Sequence, residues 1–169
     1  MRTADQFCDE IRGRLVGSLT VFCGDRLVAE EIAQDALVRA WERWDTVGAM
    51  GSPEAWTYRT AFNLASSWYR RRGAERRARQ RLDALRPHGA DQAAAEEEDH
   101  HVRDAVQALP PRQRAVVVCR FFLDLSVEDT ATLLECAPGT VKAATSQALA
   151  ALRAGALGRD DTNPVTRSA

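Results

Sequence analysis

The sequence lacks any apolar run long enough to cross a membrane, and its N-terminus lacks the basic and then apolar pattern of a signal peptide. These absences predict a cytoplasmic protein with no membrane insertion. The four cysteines form no CxxC pair: they are Cys8, Cys23, Cys119 and Cys136. Because each cysteine lies in an apolar helical pattern, we expect reduced, mostly buried thiols and no metal site.

The sequence also has few of the residues that catalysis requires. Its three histidines, His88, His100 and His101, lie in one segment rich in alanine and acidic residues, and there is no glycine-rich phosphate loop. We therefore expect no enzymatic activity, no cofactor and no small-molecule substrate. The formal net charge of −1 argues against a general binder of polyanions, although seven arginines are concentrated between Arg70 and Arg81.

What the sequence does contain is helical periodicity, with no stretch that alternates apolar and polar residues over the length of a strand. Four helix starts carry a capping signal. They are Thr3 with Gln6 as a capping box, Asp25, Ser52 followed by Pro53, and Ser126. The helix ends are expected near Phe22, Trp44, Leu82, Leu109 and Phe122. Residues 46–55 read as a loop, and Pro110–Pro111 as a break.

The predicted fold is all-α, with two small helical domains. Residues 86–101 hold proline, glycine, alanine and acidic residues without apolar periodicity, which is typical of a flexible linker. This places a three-helix domain at residues 1–85, a second helical domain at residues 102–158 and a frayed tail at residues 159–169.

The second helix has two distinct faces. One face is an apolar stripe formed by Ala29, Ala33, Ala36, Leu37, Ala40 and Trp44. The residues roughly opposite are Glu31, Gln34, Asp35, Val38 and Glu42. Spacing alone favours a solvated acidic face, and Val38 among the acidic residues is a small sign of the alternative, a surface for a partner.

The third helix also has an unusual polar face. Its apolar side is formed by Tyr58, Ala61, Phe62, Ala65, Trp68 and Tyr69, and its other side by Trp56, Arg59, Asn63, Ser67 and Arg70, which the arginine run extends through Arg71. Arginine pairs with phosphate, an aromatic ring stacks on an exposed base, and asparagine reads a base edge. Contact with nucleic acid is therefore favoured over an ordinary solvated helix.

The stretch "VEDTATLLECAPGTVKAATSQAL" (residues 127–149) has the pattern of a helix-turn-helix. Val127, Ala131 and Leu134 share one face before the break at Ala137–Pro138–Gly139, and the apolar face resumes after it with Val141, Ala148 and Leu152. In such motifs the second helix lies in the major groove of DNA. A plain helical hairpin has the same spacing, so that alternative stays open here.

The outward face of this second helix contains Gly139, Lys142, Ala143, Ser146, Gln147 and Arg153. Thr140 near its start can cap the helix or hold a phosphate, Lys142 can reach guanine or a phosphate, and Gln147 suits adenine. Ala143 and Ser146 are small enough to allow close approach to the groove. Glu135 takes the turn position often held by glycine, and it is strained if the backbone there needs a positive φ.

Taken together, four segments resemble an extracytoplasmic-function sigma factor of the bacterial sigma-70 family. In chain order they are "AEEIAQDALVRAWERW" (29–44), "PEAWTYRTAFNLASSWYRRR" (53–72), "ALPPRQRAVVVCRFFLDLSVEDTATLL" (108–134) and "GTVKAATSQALAALR" (139–153). The first is similar to the region 2 helix that docks on the polymerase clamp, and the second to the stretch that melts and reads the −10 element. The last two resemble the start of region 4 and its −35 recognition helix.

The resemblance implies specific partners and roles. Core RNA polymerase would be bound through Gln34, Asp35, Val38, Trp41 and Glu42. Promoter DNA would be contacted near −10 by Trp56, Arg59, Asn63, Arg70 and Arg71, and near −35 by Thr140, Lys142, Ala143, Ser146 and Gln147. The loop Val47–Ser52 would form part of a pocket for a flipped base. An anti-sigma factor is a further possible partner.

The chain departs from the family pattern at Ser67, where an aspartate is common, and at Ala144 and Gln147, where arginines are common. We therefore expect weak phosphate binding by region 4. Two rival interpretations stay open at this point: a sigma-like adaptor that fails to open promoters, and a stand-alone helix-turn-helix regulator. The second would need a dimer surface or effector pocket, for which no segment remains.

Overall fold

A computed structural model describes residues 2–83 and 99–160, and over these ranges all regular structure is helical. The all-α prediction is therefore confirmed. The chain divides into two compact units, with the boundary between His100 and His101. Most of the predicted linker and tail lies outside the described residues. Among those described, no helix combines the length and apolarity needed to cross a membrane.

The first unit contains four helices and the second unit contains four more within the described ranges. The first four are α1 (Ala4–Cys23), α2 (Arg26–Glu42), α3 (Trp44–Val47) and α4 (Pro53–Asp83). The others are α5 (Asp99–Ala108), α6 (Pro111–Val117), α7 (Val127–Leu133) and α8 (Pro138–Asp160).

The four capping signals predicted at helix starts are all present. Thr3 and Gln6 form the reciprocal capping box of α1, with 3.3 Å from the Gln6 amide to the Thr3 hydroxyl. The Asp25 carboxylate accepts from the first amides of α2, and the hydroxyl of Ser52 accepts from the Ala55 amide at 3.1 Å. Ser126 caps α7 by accepting from the Asp129 amide at 2.9 Å. Each cap satisfies an amide that has no partner within its own helix.

The core of the first unit is formed by α1, α2 and α4. Large side chains come from α1: Phe7, Ile11, Leu15, Leu19 and Phe22. The stripe from α2 is mostly alanine, which allows its neighbours to approach closely. Phe22 contacts the rings of Phe62 and Tyr69, and the Tyr69 hydroxyl donates to the Cys23 carbonyl at the end of α1. The long helix α4 is thereby fastened to the C-terminal end of α1.

The second helix ends earlier than predicted, at Glu42 rather than near Trp44. Arg43 leaves helical geometry with φ −111°, and Trp44 starts the short turn α3. The Trp44 ring packs on Phe7 with 4.9 Å between centroids. It also lies against Gly48, where an added Cβ would come within 2.8 Å of the Trp44 carbonyl oxygen. The aromatic contact with α1, which is distant in sequence, explains why the periodicity of α2 alone misplaced its end.

The second unit packs α6 and α7 against α8. Val116, Ala131, Val141 and Ala144 form one buried cluster, and Leu109, Val117 and Ala148 form another. The chain around the break at Pro110 is held by a buried arginine. Arg114 is only 4% exposed, and its guanidinium donates to the carbonyls of Gln107 at 2.6 Å and Leu109 at 3.0 Å. Such charge-assisted bonds satisfy carbonyls at the end of α5 that would otherwise be unpaired.

A π-helical turn, Val118–Phe122, continues α6 where the sequence predicted an uninterrupted α-helix. The Leu123 amide donates to the Val118 carbonyl, five residues back, at 2.9 Å. The wider turn buries Leu123 while Phe121 and Phe122 stay exposed. The Arg120 guanidinium donates to the Leu125 carbonyl and so holds the chain that leads into α7.

The turn between α7 and α8 is a Schellman motif built on glutamate. Glu135 has φ 50°, the Cys136 amide donates to the Ala131 carbonyl at 2.9 Å, and the Glu135 amide donates to the Thr132 carbonyl at 3.4 Å. The turn therefore does need the left-handed conformation, and a residue with a Cβ occupies it.

Replacing Glu135 with glycine is expected to raise the free energy of unfolding by about 0.5–1 kcal/mol. Glycine removes the cost of about 1–2 kcal/mol that a residue with a Cβ has in the left-handed conformation. Part of this gain is lost, because glycine has more conformational entropy to lose when the chain folds. Native-state hydrogen exchange at the amides of α7 and α8 would measure the change. Glu135→Ala is the matched control, since it removes the carboxylate and keeps the Cβ. An equal gain in both variants would contradict the backbone explanation.

Stability of the second unit should fall with rising pH because of Cys119. Burial, with a smaller contribution from nearby Cys136, raises the pKa of the Cys119 thiol to about 12, against about 8.5 in an unfolded chain. The unfolded state therefore loses this proton first, and stability declines by about 1.4 kcal/mol per pH unit between those two values.

Urea denaturation of the wild type and of Cys119→Ala at pH 8 and pH 10, followed by circular dichroism, would test this dependence on Cys119. The Cys119→Ala variant is expected to start lower and to show a shallower pH dependence. Cys136→Ala serves as the control and should keep the steep dependence. Parallel pH dependences for Cys119→Ala and the wild type would refute the assignment.

Candidate partner and nucleic-acid interfaces

A groove of about 310 Å³ runs between α1 and α2 on the outer surface of the first unit. Its lining residues come from both helices: Cys8, Asp9, Arg12 and Val16 from α1, and Glu30, Ala33, Gln34, Leu37, Val38 and Trp41 from α2. Two large apolar side chains stay open to solvent there, since Val38 is 47% and Trp41 is 55% exposed. An exposed aromatic and aliphatic pair within a charged groove is typical of a protein interface.

The orientation of Trp41 is set by a hydrogen bond from its indole N–H to the Asp5 carboxylate at 3.0 Å. The polar edge of the ring is therefore satisfied within the protein, while much of its apolar surface remains uncovered. An ordered tryptophan with an uncovered face is well suited to serve as an interface anchor, because little side-chain freedom remains to be lost on binding.

Of the five residues predicted to contact a polymerase, Gln34, Val38 and Trp41 line this groove. Asp35 and Glu42 are exposed on α2 outside it. The sequence prediction missed the wall contributed by α1. A signal was available, because Cys8, Arg12 and Val16 recur every four residues and so share one helical face.

A second groove, of about 260 Å³, lies between the end of α2 and the outer face of α4. Its lining residues are Arg39, Arg43, Trp56, Thr60, Asn63, Leu64 and Ser67. An aromatic ring, a side-chain amide and two guanidinium groups thus share one concave surface, which is the combination that binds single-stranded nucleic acid. The sequence prediction found Trp56 and Asn63 but missed Arg39 of α2 and Arg43 just after it, which reach the site from outside α4.

Two expectations for this face need correction. Trp56 was placed on the exposed side of its helix, but it is half-buried, because it forms part of the groove wall. Val47 was assigned to a base pocket in the loop Val47–Ser52, but it is 1% exposed and belongs to the core. The remaining residues of that loop are exposed.

The arginines predicted to contact DNA are arranged along α4 outside the second groove. Arg59 is half-buried, whereas Arg70 and Arg71 are exposed. The Arg70 guanidinium donates to the Ser67 hydroxyl at 2.9 Å, so the position where the family often carries aspartate still holds this arginine. Arg72 stacks over the Trp68 ring at 4.9 Å. These arginines add positive charge along α4, with Arg71 and Arg72 on other sides of the helix than Arg70.

The predicted outward face of α8 is exposed at every position: Gly139, Lys142, Ala143, Ser146, Gln147 and Arg153. Between these positions Val141, Ala144 and Ala148 are buried against α6 and α7. Ala144 is only 6% exposed, so its small side chain serves packing rather than contact with DNA. One side of α8 therefore packs on α6 and α7, and its other side is open to solvent.

One expectation for α8 is wrong in detail. Thr140 is the third residue of the helix and does not cap it, because the helix begins at Pro138 and the Thr140 amide donates to the Ala137 carbonyl at 2.9 Å. Thr140 is half-buried, whereas Lys142 stands exposed two residues later. Proline is well accommodated in the first turn, which explains the earlier start.

Two known family models match different parts of the chain. The family model described as Sigma-70 region 2 matches residues 9–75, and the model described as Sigma-70, region 4 matches residues 100–152. The first match covers the second groove and all of the first groove except Cys8, and the second match covers α6, α7 and most of α8.

Similar proteins carry related names. The RNA polymerase sigma-E factor of Streptomyces coelicolor is 34% identical over 142 residues, which cover 80% of this chain and 76% of that protein. The ECF RNA polymerase sigma factor SigL of Mycobacterium tuberculosis is 30% identical over 137 residues, which cover 77% and 75% respectively.

A solved structure shows the same fold. The sigma factor RpoE from Bartonella quintana, crystallised with the anti-sigma factor NepR, aligns with a TM-score of 0.70 over 90% of this chain and 96% of its own, at 24% identity. The two region matches in their family order, together with these relatives, settle the family. The chain therefore belongs to the extracytoplasmic-function group of the sigma-70 family, the promoter-specificity subunits of bacterial RNA polymerase.

Proposed function

We propose that this sigma factor divides its work among three surfaces. The groove between α1 and α2 binds core RNA polymerase, the groove between α2 and α4 holds the melted −10 strand, and the outward face of α8 reads the −35 element. The observation that carries this proposal is that each surface lies almost entirely within the matching Sigma-70 region and has the chemistry its ligand requires.

Docking on the polymerase is supported by Trp41 and Val38. Interface energy concentrates in a few aromatic and aliphatic anchors surrounded by polar contacts, and a tryptophan anchor contributes about 2 kcal/mol or more. Gln34 and the charged residues of the groove then act as the polar rim. Asp35 and Glu42 lie outside the groove and extend the same surface along α2.

Recognition of the melted strand is supported by the composition of the second groove. Flipping a base out of the stack costs a few kcal/mol, and stacking on an aromatic side chain returns about 1–3 kcal/mol per base. Trp56 supplies that surface, Asn63 supplies an amide for a base edge, and the guanidinium groups of Arg39 and Arg43 supply charge for phosphates. Arg59, Arg70 and Arg71 continue the path of the strand along α4.

Reading of the duplex is supported by the open face of α8. Ala143 and Ser146 permit close approach, while Lys142 and Gln147 reach base edges, and a good contact contributes about 1–3 kcal/mol of discrimination. The cations on this face are Lys142 and Arg153. Region 4 alone should therefore bind DNA with weak salt dependence, and affinity for a promoter depends on the polymerase.

An anti-sigma partner fits the same picture. A protein that covers Val38 and Trp41 would block docking on the polymerase without touching the DNA surfaces. The sigma-like adaptor stays a weaker alternative, because the second groove provides the aromatic and amide groups that strand opening requires.

In-vitro transcription with purified core polymerase on a fragment library from the source genome should yield start sites that share motifs near −10 and −35. Asn63→Ala is expected to change the −10 preference and Gln147→Ala the −35 preference, each by about 1–3 kcal/mol of base discrimination. Asp104→Asn, an exposed change outside all three surfaces, is the control. Core binding without any transcripts would instead support the adaptor.

Trp41→Ala should weaken binding to core polymerase by about 2 kcal/mol, which is roughly thirtyfold in the dissociation constant, because it removes the anchor of the docking groove. Fluorescence anisotropy with a labelled sigma factor would measure the loss. Leu27→Ala is the matched control, since Leu27 is an exposed apolar residue of the same helix outside the groove. Equal losses from both variants would show that the groove is not the docking site.

A further inference from the structure

A hydrogen bond joins the recognition helix to the helix beside it. The Gln113 amide nitrogen Nε2 donates to the Gln147 carbonyl oxygen Oε1 at 3.2 Å, and the two residues are 34 positions apart in the chain. Gln147 is exposed on the face of α8 assigned above to DNA, whereas Gln113 is half-buried near the start of α6. The sequence prediction singled out Gln147 and gave Gln113 no role.

The backbone that carries Gln113 is held in place by neighbouring hydrogen bonds. It is the third residue of α6, whose first residue is Pro111, and it precedes the buried Arg114. The Arg114 guanidinium makes three hydrogen bonds, two to backbone carbonyls and one to the Gln107 side chain at 3.0 Å. The amide of Gln113 is therefore presented from a supported element, whereas Gln147 by itself has a long side chain with many rotamers.

The bond constrains what Gln147 can read. Its carbonyl oxygen is engaged by Gln113 through one lone pair, which leaves the second lone pair and both N–H groups for DNA. Adenine presents an acceptor at N7 and a donor at N6 in the major groove, and a glutamine amide held in one plane can pair with both. An amide that is free to rotate would present either end and would discriminate less well.

We propose that Gln113 is a positioning residue for promoter recognition, which holds the Gln147 amide in the orientation that reads an adenine·thymine base pair of the −35 element. The inference rests on the proposed role of α8. Gln113 reaches the DNA only through Gln147, so its effect is confined to the one base pair that Gln147 contacts. Gln113 and Gln147 therefore act together in the recognition of that base pair.

Substitutions at Gln113 distinguish positioning from simple support of the fold. Gln113→Ala should lower the preference for adenine at one −35 position about fivefold, with little change at other positions. Gln113→Glu should change the preferred base instead, because a carboxylate only accepts hydrogen bonds and would attract the Gln147 N–H groups. The carbonyl oxygen of Gln147 would then face the groove and favour a base that donates, such as cytosine through N4.

The experiment is in-vitro transcription by the complete holoenzyme on a promoter library with a randomised −35 element, followed by sequencing of the transcripts. The variants are Gln113→Ala, Gln113→Glu, Gln147→Ala and Gln113→Ala with Gln147→Ala. The double variant should match Gln147→Ala in its base preferences. Arg112→Ala, an exposed neighbour of Gln113, is the control, and any effect it has should be uniform across −35 sequences.

The outcomes separate this inference from the proposed function. A position-specific change in Gln113→Ala that disappears in the Gln147→Ala background supports the inference. If Gln147→Ala changes the −35 preference but Gln113→Ala does not, or lowers all transcripts equally, the inference is overturned and the role of α8 stands. If Gln147→Ala changes no preference, the assignment of Gln147 fails and the positioning role fails with it.

Discussion

Burial of one narrow stripe on each functional helix is the constraint on which the three surfaces depend. On α2 the stripe is mostly alanine, on α4 it includes Ala61 and Ala65, and on α8 it is Val141, Ala144 and Ala148. Small buried residues bring the helix axes close together, and the 3.6-residue repeat then determines which side chains point outward. The positions of Trp41, Asn63 and Gln147 follow from this packing, since none of them contributes to a core.

The two units hold their surfaces in different ways. The first unit surrounds Phe22 with aromatic rings from α4, so the strand-binding face is supported by a large core. The second unit has a smaller core and, apart from α8, short helices, and it relies on hydrogen bonds at its chain reversals. Arg114 ties the break before α6, and the Schellman turn at Glu135 aligns α8. The backbone strain at Glu135 costs little free energy compared with the stabilisation from the buried clusters that the turn connects.

Much of this arrangement could be predicted because it is local. Caps such as Ser52 and Ser126 act on amides within three residues, and the exposed face of α8 follows from spacing alone. Three of the errors share one cause, which is contact between residues distant in sequence. Trp44 lies outside α2 because its ring packs on Phe7. Trp56 is half-buried because it lines a groove that α2 also lines, and Val47 is buried in the core. Helical periodicity carries no information about such neighbours.

The sequence by itself determined the helical class, the four capped helix starts, the outward residues of α2 and α8 and the family resemblance, because each depends on residue spacing within one segment. Only the tertiary structure decided which helices share a groove. Arg39 and Arg43 join Trp56 and Asn63, α1 completes the docking groove, and Gln113 reaches Gln147. The reason is geometric: a surface between two helices is defined by their relative placement, which is decided by packing of buried side chains across the whole unit.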